Sequence, residues 1–224
     1  MAKSKDLLPT RIELAKTHNN EKGGSRPVGA DLVLASALST VCVNGLRLPI
    51  HKVNRSGVML NWREIERIEH DCVVLVENLA VMTALAQLQL PDELQGALFL
   101  YRGDANDNHT SAAYQWFRQL THVNKVVFAD FDPAGIEIAI SSGAEWALLP
   151  QQAQWEYLLH PQWQQLIGAE SRFYAQRESL NGLAERTNKP EWGEQLLRTM
   201  GKHRQTRTQE HLIAHQVPLA LFPL

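Results

Sequence analysis

KVVFADFDPAGIEIA, residues 125–139, decides how the chain is read. An apolar run, Val126-Val127-Phe128-Ala129, ends in Asp130 and Asp132; Pro133, Ala134 and Gly135 then open a helix-like pattern. A buried strand that breaks into acids just before a proline delivers those acids to the rim of a sheet. In open α/β sheets that rim is where ligands bind. Residues two apart on an extended chain point the same way, so Asp130 and Asp132 face one space. Like charges held together repel unless a cation lies between them, and hard oxygen donors favour Mg²⁺ or Mn²⁺. Asp132, immediately before Pro133, also fits a helix N-cap.

The flanking stretches repeat the pattern. DCVVLVEN (71–78) is an apolar run ending in Glu77, and GALFLYRGD (96–104) ends in Gly103 and Asp104. AEWALLP (144–150) supplies a fourth run. Between them, residues 79–89 and 109–121 carry helix-forming patterns, the second with Ala113, Trp116, Phe117 and Leu120 on one side. Strands of nearly continuous apolar character alternating with helices predict an α/β fold with a parallel sheet covered on both faces. The ends of the first three strands then share one rim. Glu77 needs a partner there, since burying a lone carboxylate is costly. Asp104 reads best as the cap of the helix after it.

Residues 66–224 are expected to form this domain with a helical C-terminal extension, comprising helical segments at 151–180, 190–201 and 208–216. Residues 1–65 are expected to form a small α+β segment: a helix over 6–17, a polar linker, the apolar DLVLASALST, and a hairpin at Asn44-Gly45. A helix followed by a hairpin outlines a partial winged-helix-like module. WREIERIE (62–69) reads as a brief charged helix.

Composition narrows the function. A net charge of −2 argues against a wholly basic nucleic-acid wrapper but leaves room for a local basic patch. Cys42 and Cys72 sit in apolar runs without metal-ligand spacing. The absence of a signal-like N-terminus and of a long apolar stretch predicts a cytoplasmic protein with no membrane contact. His211 and His215 lie four apart, but Leu212 stands where HExxH needs a glutamate, so zinc is not expected.

VVLVEN, LYRGD and VVFADFDPAGIEIA together resemble the Toprim domain, a Rossmann-like parallel sheet, in the version carried by the topoisomerase VI A subunit. The EN after the first strand, the DxDPxG form and Gln209-Glu210 are closer still to the Toprim nuclease subunit of the Wadjet anti-plasmid defence system, the JetD family. The resemblance covers residues 70–148 and the C-terminal pair. It implies that Glu77 is a metal ligand or general acid/base, that Asp130 and Asp132 bind metal, and that Glu210 is an added ligand. It implies a Mg²⁺- or Mn²⁺-dependent nuclease that hydrolyses DNA phosphodiesters. The implied partners are DNA, subunits of an SMC-like complex and a second copy of the chain in a homodimer. Topoisomerase VI cuts with an N-terminal tyrosine; the first tyrosine here is Tyr101, inside the second strand run, so hydrolysis by activated water is expected instead. The alternative is a non-catalytic DNA-binding or assembly subunit of an SMC-like complex. A DxD pair also opens haloacid-dehalogenase phosphatase sites, but Pro133-Ala134-Gly135 fits that chemistry poorly.

Residues 195–209 carry Arg198, Lys202, Arg204 and Arg207 with no acid among them. With Arg102 beside the second strand end, these are the candidate DNA-phosphate contacts. A solvated basic loop has the same composition.

Overall fold

The structure, a computed structural model, describes residues 8–20, 24–25, 29–50, 56–103, 109–167 and 169–224. Among these, no helix is long and apolar enough to cross a membrane. A short helix α1 (Arg11–Ala15) is closed by a Thr10/Glu13 capping box. Four strands follow: β1 (Leu32–Ser36), β2 (Val41–Val43), β3 (Leu46–Leu48) and β4 (Val58–Asn61). Then come β5 (Cys72–Val76), α2 (Leu79–Thr83), β6 (Leu98–Tyr101), α3 (His109–Gln119), β7 (Asn124–Phe128), α4 (Pro133–Ser141) and β8 (Trp146–Pro150). The chain ends with α5 (Trp155–Leu158), α6 (Ala169–Ala175), α7 (Arg177–Glu185), α8 (Glu191–His203), α9 (Gln209–Ala214) and β9 (Leu219–Pro223).

The main sheet has seven strands in the order β4-β1-β6-β5-β7-β8-β9. Its centre, β6-β5-β7-β8, is parallel, as the apolar runs predict. All five residues of β5 and all four of β6 are buried, which a parallel strand covered on both faces requires. The α/β expectation therefore holds, with a helical region after β8.

The sheet is mixed because antiparallel strands flank this centre. β9 pairs with β8 from Trp146↔Pro223 to Pro150↔Leu219. β1 lies antiparallel to both β6 and β4. The winged-helix-like outline for the N-terminal segment is thus corrected. The apolar DLVLAS segment is a strand, and residues on both sides of position 65 share one sheet. Branched Val33 and flat, small Ala35 are both fully buried there, a role that a short apolar run fills as readily as a helix does. The hairpin forms as expected: β2 and β3 are joined by Asn44 and Gly45 at φ 52° and 76°, the left-handed pair that a tight hairpin turn needs. Of 62–69, only Trp62–Glu64 is helical, as a 3₁₀ turn. Residues 6–7 of the expected N-terminal helix, and Asp104, lie outside the described residues.

α4 begins with Asp132 as N-cap and Pro133 in the first turn, where a proline has no intrahelical bond to lose. α8 buries Trp192, Leu196, Thr199 and Met200 at helical spacing. Phe131, Trp155 and Phe222 pack in series, with ring centroids 6.1 and 5.5 Å apart. This series ties the end of β7 to the C-terminal strand.

Candidate active site at the sheet rim

Because β5, β6 and β7 are parallel, Glu77, Gly103 and Asp130 follow three neighbouring strand ends on one edge. Backbone bonds hold the edge together: the Glu77 amide donates to the Phe128 carbonyl at 3.0 Å and the Arg102 amide to Val76 at 2.8 Å. Gly103 turns the chain away at φ 87°, a left-handed conformation that favours glycine.

Asp130 and Asp132 do face one space, as their spacing predicts. Asp130 Oδ2 and Asp132 Oδ2 accept hydrogen bonds from the same atom, Arg172 Nη2, at 2.5 and 3.2 Å. Arg172 Nε adds a contact to Asp132 Oδ2 at 3.3 Å. The other oxygens are committed. Asp130 Oδ1 accepts from Asn78 Nδ2 and from the Gln209 amide, each at 2.8 Å. Asp132 Oδ1 caps α4 through the Gly135 amide at 2.8 Å. Asp132 thus caps α4 with one oxygen and turns the other towards Asp130 Oδ2 and Arg172. Gln176 donates to Asp132 Oδ2 at 2.6 Å while its carbonyl accepts from the Ala134 amide.

Glu77 stands beside the pair without joining it. Its Oε2 accepts from the Asp130 amide at 2.9 Å and its Oε1 from Arg102 Nη2 at 3.2 Å. Glu210 is exposed and reaches the site only through Asn78 Nδ2, at 3.4 Å. Of the four expected ligands, two converge on one point. Among the described residues, no group of three or more acids, histidines or cysteines is spaced to grip a metal as it stands.

The local charge is unbalanced. Glu77, Asp130 and Asp132 share two guanidiniums, Arg102 and Arg172. Burial, reinforced by the Asp132 and Glu77 charges, pushes the Asp130 carboxyl up to about 7. Burial likewise raises Glu77. A carboxyl whose folded pKa is raised holds a proton that the unfolded chain releases. Its contribution to stability is full below 3.8 and is lost as pH rises towards about 7. In EDTA, the unfolding free energy should therefore fall across that window more steeply in the wild type than in Asp130→Ala. Denaturant melts over a pH series test this. A constant offset between the two proteins is immaterial, and parallel curves would contradict it.

The basic candidates divide. Arg102 pairs with Glu77 as described. Arg198 pairs with Glu194, just before this stretch, and Lys202 with the distant Glu156, both exposed pairs, so acids outside 195–209 answer part of its charge. Arg204 ends α8 in a left-handed conformation (φ 54°) and lies over the Tyr174 ring at 5.9 Å, two residues from Arg172. Arg207 is corrected. It is fully buried, with its guanidinium 4.9 Å from the Trp163 ring centre and bonded to the Gln205 side chain and to the carbonyls of Thr206 and His160. Without a surface it makes no phosphate contact. Its backbone instead pairs with Phe131 at 2.8 and 2.9 Å and holds the C-terminal segment against the rim.

Arg172, Gln176, Asn78 and the Gln209 side chain are the site residues that the carboxylate pattern does not reveal. The only local hint of the first two is their four-residue separation, which places them on one side of a helical turn.

Residues 29–221 match the family described as "Domain of unknown function (DUF7281)". No curated protein matches the chain. The matched span runs from just before β1 into β9 and contains every residue of the rim; the chain belongs to the DUF7281 family.

Proposed function

We propose that the chain is a metal-dependent, Toprim-type nuclease or nuclease subunit that hydrolyses DNA phosphodiesters, related to the JetD subunit of Wadjet-like SMC anti-plasmid systems. The observation that carries this reading is the convergence of Asp130 Oδ2 and Asp132 Oδ2 on a single positive group at the carboxyl ends of parallel strands. The pair fits a hard divalent cation: both donors are carboxylate oxygens, and a positive group stands between them already. Asp130 and Asp132 would hold Mg²⁺ or Mn²⁺. When bound, such an ion neutralises a phosphodiester and activates water as the nucleophile.

The chain's own groups prepare the site. Asn78 and the Gln209 amide orient Asp130, and the α4 cap orients Asp132. Glu77, raised by burial, is placed to hold or move a proton beside the pair. Arg204 and, once free of its partners, Lys202 supply positive charge for the DNA backbone.

The test is incubation of supercoiled plasmid DNA with the purified protein in Mg²⁺, in Mn²⁺ and in EDTA. Nicking or linearisation is expected with either metal and none in EDTA; no cleavage in either metal would refute the reading. A second reading has its own observation. Arg172 already satisfies both aspartates, as in an ion cluster that serves structure, so the chain would act as a non-catalytic DNA-binding or assembly subunit. DNA binding that persists in EDTA without cleavage in any metal would favour it.

A further inference from the structure

We propose that Arg172 is a lock on the aspartate pair: a positioning residue that keeps the acids together in the metal-free protein and that a divalent cation must displace. The inference rests on the metal reading above and concerns how the same site is regulated.

Four oxygens belong to the pair, and two are permanently engaged by Asn78, the Gln209 amide and the Gly135 amide. The two that remain for a cation, Asp130 Oδ2 and Asp132 Oδ2, are the two that Arg172 holds. A guanidinium and a divalent ion cannot share them, because both are positive and both need the same lone pairs. Occupancy is therefore exclusive. Removal of the arginine without a replacement would leave two buried like charges facing each other, so the metal-free state needs it.

Exposure shows which partner moves. The carboxylate side chains are 6% and 2% exposed, whereas the Arg172 side chain is 43% exposed. The acids are held from three sides, while the arginine has a direct route to water. Its helix, α6, is seven residues long and buries only Ala169 and Phe173. When a state that excludes the ligand predominates, apparent affinity falls in proportion to the competent fraction. A lock closed nine-tenths of the time or more would weaken cation binding at least about tenfold.

The test is a Mn²⁺ titration, by calorimetry or electron paramagnetic resonance, of the wild type and Arg172→Gln, with Asp130→Ala as the baseline. The expected result has opposite signs: Arg172→Gln melts at a lower temperature in EDTA, yet binds Mn²⁺ about tenfold more tightly. Equal or weaker binding by Arg172→Gln, with clear binding by the wild type, overturns the lock and leaves the metal reading standing. No binding by either protein overturns both. A measurement on the wild type alone covers the case in which the variant does not fold. Saturating Mn²⁺ should accelerate amide hydrogen exchange across residues 169–175, since their tie to the rim is released. Protection there that is unchanged or increased overturns the proposal.

Discussion

Gly135→Ala is expected to lower the unfolding free energy by about 3 kcal/mol or more, the largest stability effect of any single methyl group at the rim. A Cβ at Gly135 would stand 1.9 Å from the Asp130 carbonyl oxygen, 2.8 Å from its carbon and 3.1 Å from its nitrogen. All three atoms are main chain, so no rotamer change relieves the contact. The Asp130 segment has nowhere to retreat. Its amide donates to Glu77, and the next residue, Phe131, exchanges two backbone hydrogen bonds with Arg207. The close approach follows from asking one short turn to do two jobs: present Asp130 just past the end of β7 and start α4 three residues later, at Pro133. Gly201→Ala provides the control. It lies inside α8 with nothing within 4 Å of the added carbon, and is expected to be neutral or to stabilise by about 0.5–1 kcal/mol. Urea melts of the two variants decide the matter. A Gly135→Ala protein as stable as the wild type would contradict so close an approach.

On the nuclease reading proposed above, Asp130→Ala is expected to reduce metal-dependent DNA cleavage by two to three orders of magnitude, about 3–4 kcal/mol of transition-state stabilisation. The substitution removes one of the two converging oxygens and leaves Asp132 to hold a cation alone. It also leaves Arg172 paired with Asp132 only, so the remaining site is both weaker and nearer to neutral. Asp132 is a poorer choice for the experiment, because its loss also removes the N-cap of α4 and any activity change would be mixed with unfolding. Arg67→Ala, at a position the DNA reading does not use, is the surface control. Its largely exposed guanidinium pairs with Glu69, and such surface pairs contribute about 1 kcal/mol or less. A gel assay of plasmid nicking, with circular dichroism to confirm folding, gives the comparison. Asp130→Ala cleaving at the wild-type rate would remove the aspartate pair from the chemistry.

The central strands and the aspartate pair are legible in the sequence because their signals are local. CVVLV and VVFA (126–129) are apolar throughout, and a strand covered on both faces accommodates that over so few residues. Asn44-Gly45 names its turn by the backbone conformation it permits. Where the meaning of a segment depends on distant chain, the reading falters. DLVLAS is equally apolar as a helix or a strand, and only pairing with β4 and β6 settles it. LALFP becomes a strand because β8 offers an edge. Arg172 sits in a charged, unremarkable segment about 40 residues beyond the acids it joins. Arg207 reads as one more cation in a basic loop. Its burial depends on Trp163 and on the His160 carbonyl, both distant in sequence, and nothing adjacent announces a cation stacked on an indole.

The pairing of Arg207 with Phe131 bears on how the protein comes into being. Asp130 receives a hydrogen bond from an amide 79 residues further along the chain, and β8 gains its outer neighbour only from residues 219–223. During synthesis from the N-terminus, the four parallel strands can assemble early, but the rim cannot. A nascent chain that has passed residue 150 already displays both aspartates, without the donor from Gln209 and without Arg172. The acid pair is thus finished among the last features of the fold, and a half-made chain carries its acidic edge before it has the means to organise it.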